Sequence, residues 1–145
     1  MNKPTLCFLI SLLALVLIPA AGCGSKKVDT VKVTGKATLD GAPIPQGSIK
    51  FVSEDGQTPT GGGNIIDGVY TAFVPPGKKK VLVNGQKVVG QEPEYEGVAD
   101  SPMRDKLEQV TPKVYNDKNA TPLEADITAE QEGLDFDLSS TIKSK

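Results

Sequence analysis

From Val31 onward the chain alternates between apolar and polar residues. Val31, Val33, Gly35, Ala37 and Leu39 fall on one face, and Lys32, Thr34, Lys36 and Thr38 on the other. A repeat of two marks a strand with one buried face, because successive side chains of an extended backbone point to opposite sides. Asp40-Gly41 interrupts the pattern and Pro43-Ile44-Pro45 takes the chain round a corner. Ile49 and Phe51 then alternate with Ser48 and Lys50 in a second strand, which stops at Glu54-Asp55-Gly56. Gly61-Gly62-Gly63 leads into a strand over residues 64–66, and Asp67-Gly68 follows. That dipeptide predicts a tight hairpin, since both central residues of a type I′ turn need positive φ. A strand over 69–74 pairs back from it, Pro75-Pro76-Gly77 turns the chain, and residues 80–84 continue as a strand with Val81 and Val83 inward.

Near the C-terminus Leu123, Ala125 and Ile127 alternate with Glu124 and Asp126, and Leu134-Asp135-Phe136-Asp137-Leu138 alternates without a fault. Short strands separated by turn signals predict an all-β fold, a seven-stranded antiparallel β-sandwich. Residues 84–115 stand apart as an insert too long for a hairpin loop. Loops beyond about 12–15 residues are usually functional, disordered or partly structured. Here Ser101 can cap a helix and Pro102 suits its first position, while Met103, Leu107 and Val110 sit at i, i+4 and i+7. That spacing predicts one short helix, ended by Thr111-Pro112.

Composition narrows the function more than it names one. The 15 glycines and 11 prolines in 145 residues suit a turn-rich fold rather than a helical bundle. A net charge of −2 is unlike the basic surface of a nucleic-acid binder. Histidine is absent, which removes the histidine-dependent triads and the usual zinc sites. The acidic run Glu92, Glu94, Glu96 and Asp100 lacks the order of a calcium loop, which must supply most of six to eight oxygens. No cofactor, metal centre or catalytic residue is therefore expected.

The N-terminus reads as an address. Lys3 precedes residues 6–18, which are apolar apart from Ser11. That run is shorter than the roughly 20 apolar residues of a spanning helix and matches the core of an export signal. Pro19-Ala20-Ala21-Gly22-Cys23 follows. It resembles the lipobox of bacterial lipoproteins, in which the cysteine thiol receives a diacylglyceryl group and becomes the N-terminus. Ala20 stands where leucine is commonest. The resemblance implies a signal peptide over 1–22, lipidation at Cys23, a lipid-anchored tether over 23–30 and a domain over 31–145. As a flexible coil the polar part of that tether spans about 15 Å. Gly24 occupies the place where the family's usual inner-membrane retention signal has aspartate. The expected location is thus the cell membrane or outer membrane, the latter favoured, facing periplasm or exterior.

A second resemblance lies in the domain. Gly35-Lys36-Ala37-Thr38-Leu39-Asp40-Gly41-Ala42-Pro43-Ile44-Pro45, followed by Gly47-Ser48-Ile49-Lys50-Phe51, resembles the opening of carboxypeptidase regulatory-like domains. So do Asp67-Gly68-Val69-Tyr70, Pro76-Gly77-Lys78 and Val81-Leu82-Val83. This resemblance implies the transthyretin-like (prealbumin), Greek-key sandwich and is silent on activity. Lys79 stands where that family usually has an aromatic, so either its stem covers the core edge or the strand begins one residue later.

These features predict a membrane-anchored extracytoplasmic lipoprotein whose sandwich is a non-catalytic interaction or structural module of the cell envelope. Its expected partners are the membrane, through Cys23, and an envelope protein or glycan. The alternative is a carbohydrate- or cell-wall-binding module, which calls for exposed aromatic side chains. Tyr95, Met103 and Tyr115 are the candidate binding surface, all on the insert. An apolar patch there points to a protein partner, and a tyrosine row points to glycans.

Overall fold

The computed structural model describes residues 28–142. The chain forms β1 (Val31–Leu39), β2 (Ala42–Pro43), β3 (Gln46–Ser53), β4 (Gly61–Ile66), β5 (Val69–Val74), β6 (Gly77–Pro93), β7 (Met103–Gln109), β8 (Glu124–Ile127) and β9 (Phe136–Leu138). A single 3₁₀ turn covers Lys113–Asn116. The fold is all-β. The strand order is β2-β1-β5-β4-β3-β6-β7, with β8 also on β6 and β9 on β1. Every pairing is antiparallel except β1 with β9.

Each stretch expected to alternate contributes a strand, and β2 and β7 are additional. The Asp67-Gly68 turn has φ of 49° and 76° and joins Ile66 to Val69, its paired neighbour. The inward residues Val33, Ala37, Ile49, Phe51, Ile65, Tyr70, Ala72, Val74, Val81 and Val83 are all buried. Ile44, Val114, Tyr115, Ile127, Phe136 and Leu138 pack against them from outside the central strands. At the centre the rings of Phe51, Tyr70 and Phe136 lie 6.2–6.3 Å apart, centroid to centroid. Such tilted and stacked contacts add about 0.5–1.5 kcal/mol per pair beyond burial.

The expected helix over 101–111 is not formed, and the insert is not a loop. β6 runs on to Pro93, turns, and returns as β7. The i, i+4 spacing of Met103 and Leu107 also fits a strand, where both share one face. Pairing with β6 decides between the two. Leu107 faces Val88, while Lys87–Glu108 and Glu92–Arg104 meet across the ladder at 3.3 and 2.8 Å. Ser101 caps nothing; its hydroxyl accepts the amide of Tyr95 at 2.9 Å across the turn. Val110 donates its amide to Gly85 O instead of continuing a helix.

Both flanks of the central strands are covered. Along β1 the C-terminal segment exchanges backbone bonds with Lys32 and Thr34 through Gln131 and Leu134, and Asp135 accepts the amide of Lys36 at 2.7 Å. This contact requires glycine at 35, because a Cβ there would lie 2.0 Å from Leu134 O. On β6, β7 and β8 cover the two ends and two buried threonines serve the middle. Thr121 donates to Val81 O at 2.8 Å, and Thr111 accepts from Gly85 N at 3.0 Å and donates to Val83 O at 3.4 Å. Backbone groups that would otherwise template edge-to-edge pairing are thereby satisfied.

Candidate binding surface

The strand registers place three rows of side chains side by side on the outward face of β1-β5-β4-β3-β6. The first row is Lys36, Val69, Ile66, Gln46 and Gln86. The second is Thr34, Thr71, Asn64, Ser48 and Asn84, and the third is Lys32, Phe73, Gly62, Lys50 and Leu82. No acidic side chain stands among them, although the chain as a whole is net acidic. Ile66, Val69 and Phe73 are more than half exposed. A hollow of about 350 Å³ opens between Gln46, Asn64, Ile66, Asn84, Gln86 and Leu107. A second of about 250 Å³ adjoins it, sharing Ser48 and Asn84 and reaching Lys50 and Asn116. Asn84 Oδ1 is buried and accepts no hydrogen bond among the described residues.

The β6–β7 hairpin extends this face as an arm. One side carries the ion pairs of Lys87, Glu92, Arg104, Lys106 and Glu108. The other continues the outward face through Val88 and Leu107, then Gln91 and Asp105, then Pro93 and Met103. Val88, Leu107 and Met103 are 50%, 47% and 56% exposed, apolar side chains without a covering layer on either side of the Gln91–Asp105 pair. The register slips at Val89, which also stands exposed.

At the far end of β3 lies a buried cation. Lys79 is 2% exposed and faces Ser53 directly across the ladder. The strand begins at Gly77, so the stem of Lys79 lies inside the core edge and its ammonium donates to Thr58 Oγ1 at 2.5 Å. The Ser53 hydroxyl, the Gln57 amide and then the Lys79 charge hold the Asp55 carboxyl below the ordinary range. These bonds tie the β3–β4 loop to β6. The neighbouring lysines differ. Lys80 is hydrogen-bonded to Glu124, which raises the lysine and lowers the carboxylate. The run 78–80 is therefore a paired strand against β8.

The residues anticipated from sequence separate. Tyr95 and Met103 are exposed at the outer part of the arm, with Pro93 paired to Met103. Tyr115 is a correction: it is 3% exposed, packs in the core and accepts the Ser139 amide at 2.9 Å through its hydroxyl. The alternation around it is broken by the 3₁₀ turn, which rotates Val114 and Tyr115 inward. Tyr70 is also buried. Cys23, residues 1–22 and most of the tether lie outside the described residues. No helix among the described residues is long and apolar enough to cross a membrane. The row from Thr34 to Asn84 escaped sequence reading, since it exists only once five strands are in register.

No family model matches the chain, and no curated protein matches it. Among solved structures it is similar to a 9R-lipoxygenase from Cyanothece PCC8801, at 11% identity and a TM-score of 0.39. That likeness covers 77% of this chain and 16% of the lipoxygenase, and it carries no argument about activity.

Proposed function

We propose that this chain is a lipid-anchored extracytoplasmic lipoprotein whose domain is a non-catalytic interaction module of the cell envelope. The anchor is Cys23, and the architecture is the seven-stranded transthyretin-like sandwich, elaborated by the β6–β7 arm. The observation that carries the reading is the exposure of three apolar side chains, Val88, Leu107 and Met103, on one side of that arm. A two-stranded ribbon is at best marginally stable in water on its own. An arm that keeps apolar side chains exposed suits a protein partner that covers them.

Cross-linking through Lys87 and Lys106 in native envelopes tests the reading. A specific protein linked to the arm is the expected product, lost when Leu107→Asp is introduced and reduced in Cys23→Ser. Recovery of the uncross-linked chain alone contradicts it. The anchor is tested separately: the mature N-terminal peptide should begin at Cys23 and carry acyl mass.

A second reading, a carbohydrate- or cell-wall-binding module, has its own support. It does not come from a tyrosine row, because Tyr70 and Tyr115 are buried and Tyr95 alone is exposed among the described tyrosines. It comes from the polar row across the outward sheet face.

A further inference from the structure

We infer that the outward face of β1-β5-β4-β3-β6 is a saccharide-binding trough, and that its ligand is an acidic glycan chain laid across the strands. This rests on the second reading above and names its ligand class. A polar outer face is ordinary for an antiparallel sheet, but this one has features that solvation alone does not require.

The middle row, Thr34–Thr71–Asn64–Ser48–Asn84, consists wholly of neutral donors and acceptors. Their side chains make no hydrogen bonds to one another or to other described residues. Crossing five strands at about 4.8 Å per step, the row is about 19 Å long. Carboxamides and hydroxyls pair with sugar hydroxyl and N-acetyl groups because each offers both a donor and an acceptor. Asn84 sits where the two hollows meet, and its Oδ1 already lacks a partner while out of water. A sugar hydroxyl entering the hollow, with rotation of that amide, supplies the missing donor.

The flanking rows fit the rest of a sugar ring. Val69 and Ile66 border the polar row on one side, and Phe73 and Leu82 on the other. They offer apolar surface to ring C–H faces. Gly62 leaves a gap in the third row beside Asn64. Acidity follows from the cations. Lys32, Lys36 and Lys50 each stand two residues, about 7 Å, from a member of the polar row. None has an ion-pair partner among the described residues. Three unpaired ammonium groups on rows that themselves hold no carboxylate favour a ligand bearing carboxylate or phosphate substituents.

The test is fluorescence anisotropy with a labelled hyaluronan decasaccharide, which alternates a uronate with an N-acetylated sugar, against full-length protein in detergent. A dextran oligosaccharide of equal length supplies neutral sugar, and polyphosphate supplies charge without sugar. Expected is saturable binding of hyaluronan, at least tenfold weaker for dextran and for polyphosphate. Thr71→Ala and Asn64→Ala, both at exposed positions, should each weaken hyaluronan about fivefold or more without moving the melting temperature. Lys36→Gln with Lys50→Gln should erase the preference over dextran. Equal binding of dextran overturns the acidic ligand but keeps the trough. Polyphosphate as tight as hyaluronan, or wild-type affinity in Thr71→Ala and Asn64→Ala, overturns the trough. Failure to bind either saccharide overturns the second reading itself and leaves the arm's partner untouched.

Discussion

The Tyr70 hydroxyl donates to the backbone carbonyl of Leu134 at 2.5 Å, joining β5 to a segment 64 residues away. The same ring packs against both Phe51 and Phe136. One side chain thus fastens the C-terminal segment over the inward face, where that segment completes the flank of β1. Burial first, and the nearby Asp135 charge second, raise the Tyr70 phenol above its ordinary value of 10.0.

Tyr70→Phe should therefore lower stability by about 1 kcal/mol at pH 7, the usual worth of one hydrogen bond. The pH dependence has a definite sign. A phenol whose folded pKa exceeds its unfolded value contributes stability below pH 10 that is lost as the pH rises further. Urea unfolding at pH 7 and pH 11 should show wild type losing more than Tyr70→Phe over that interval. Equal losses count against the buried phenol.

Lys79 and Thr58 provide a contrasting pair. Thr58→Val leaves a buried ammonium without its hydrogen-bond acceptor, whereas Lys79→Met removes the charge and keeps an apolar stem. Breaking a buried charge's contact costs more than deleting the charge with similar volume retained. Thr58→Val should cost about 1.5–3 kcal/mol, the range for hydrogen bonds to charged groups, and Lys79→Met less. Chemical denaturation of both variants decides it, and the reverse order would show that Thr58 is not the ammonium's principal partner.

The threonines beside β6 predict a local effect. Thr121→Val is close in shape but removes the donor to Val81 O, and Thr111→Val removes both bonds that Thr111 makes to β6. Each should cost about 1–3 kcal/mol, the penalty of leaving a buried backbone group unpaired. Hydrogen exchange should quicken at Gly85 in Thr111→Val, whose amide loses its acceptor, and stay unchanged there in Thr121→Val.

The strands of this fold were legible wherever alternation met an unambiguous turn. Asp67-Gly68 marks both the hairpin and its register, and Val81 and Val83 point inward as their period requires. The insert was misread because Met103 and Leu107, four apart, satisfy a helix and a strand equally. Only Val88 and the charge pairs on the facing strand, more than ten residues away in sequence, choose between them. Tyr115 was misplaced for a related reason, since a 3₁₀ turn has neither period. For Lys79 the sequence leaves two alternatives, a stem over the core edge or a later strand start. The strand start at Gly77 and the bond to Thr58, 21 residues earlier, select the first. The polar row has no sequence signature, because its members come from five strands.

Met103 offers the most direct test that the arm is a docking element. The other methionine is Met1, within the expected signal peptide, so Met103 is the reporter in the mature chain. Exposed methionine is oxidised to the sulfoxide, and cover by a partner slows that reaction. Dilute hydrogen peroxide should oxidise Met103 several-fold more slowly in native envelopes than in the detergent-purified protein, with Leu107→Asp restoring the fast rate in envelopes. Equal rates in envelopes and in purified protein would mean that the arm is bare where the protein works, and would contradict the proposed interaction module.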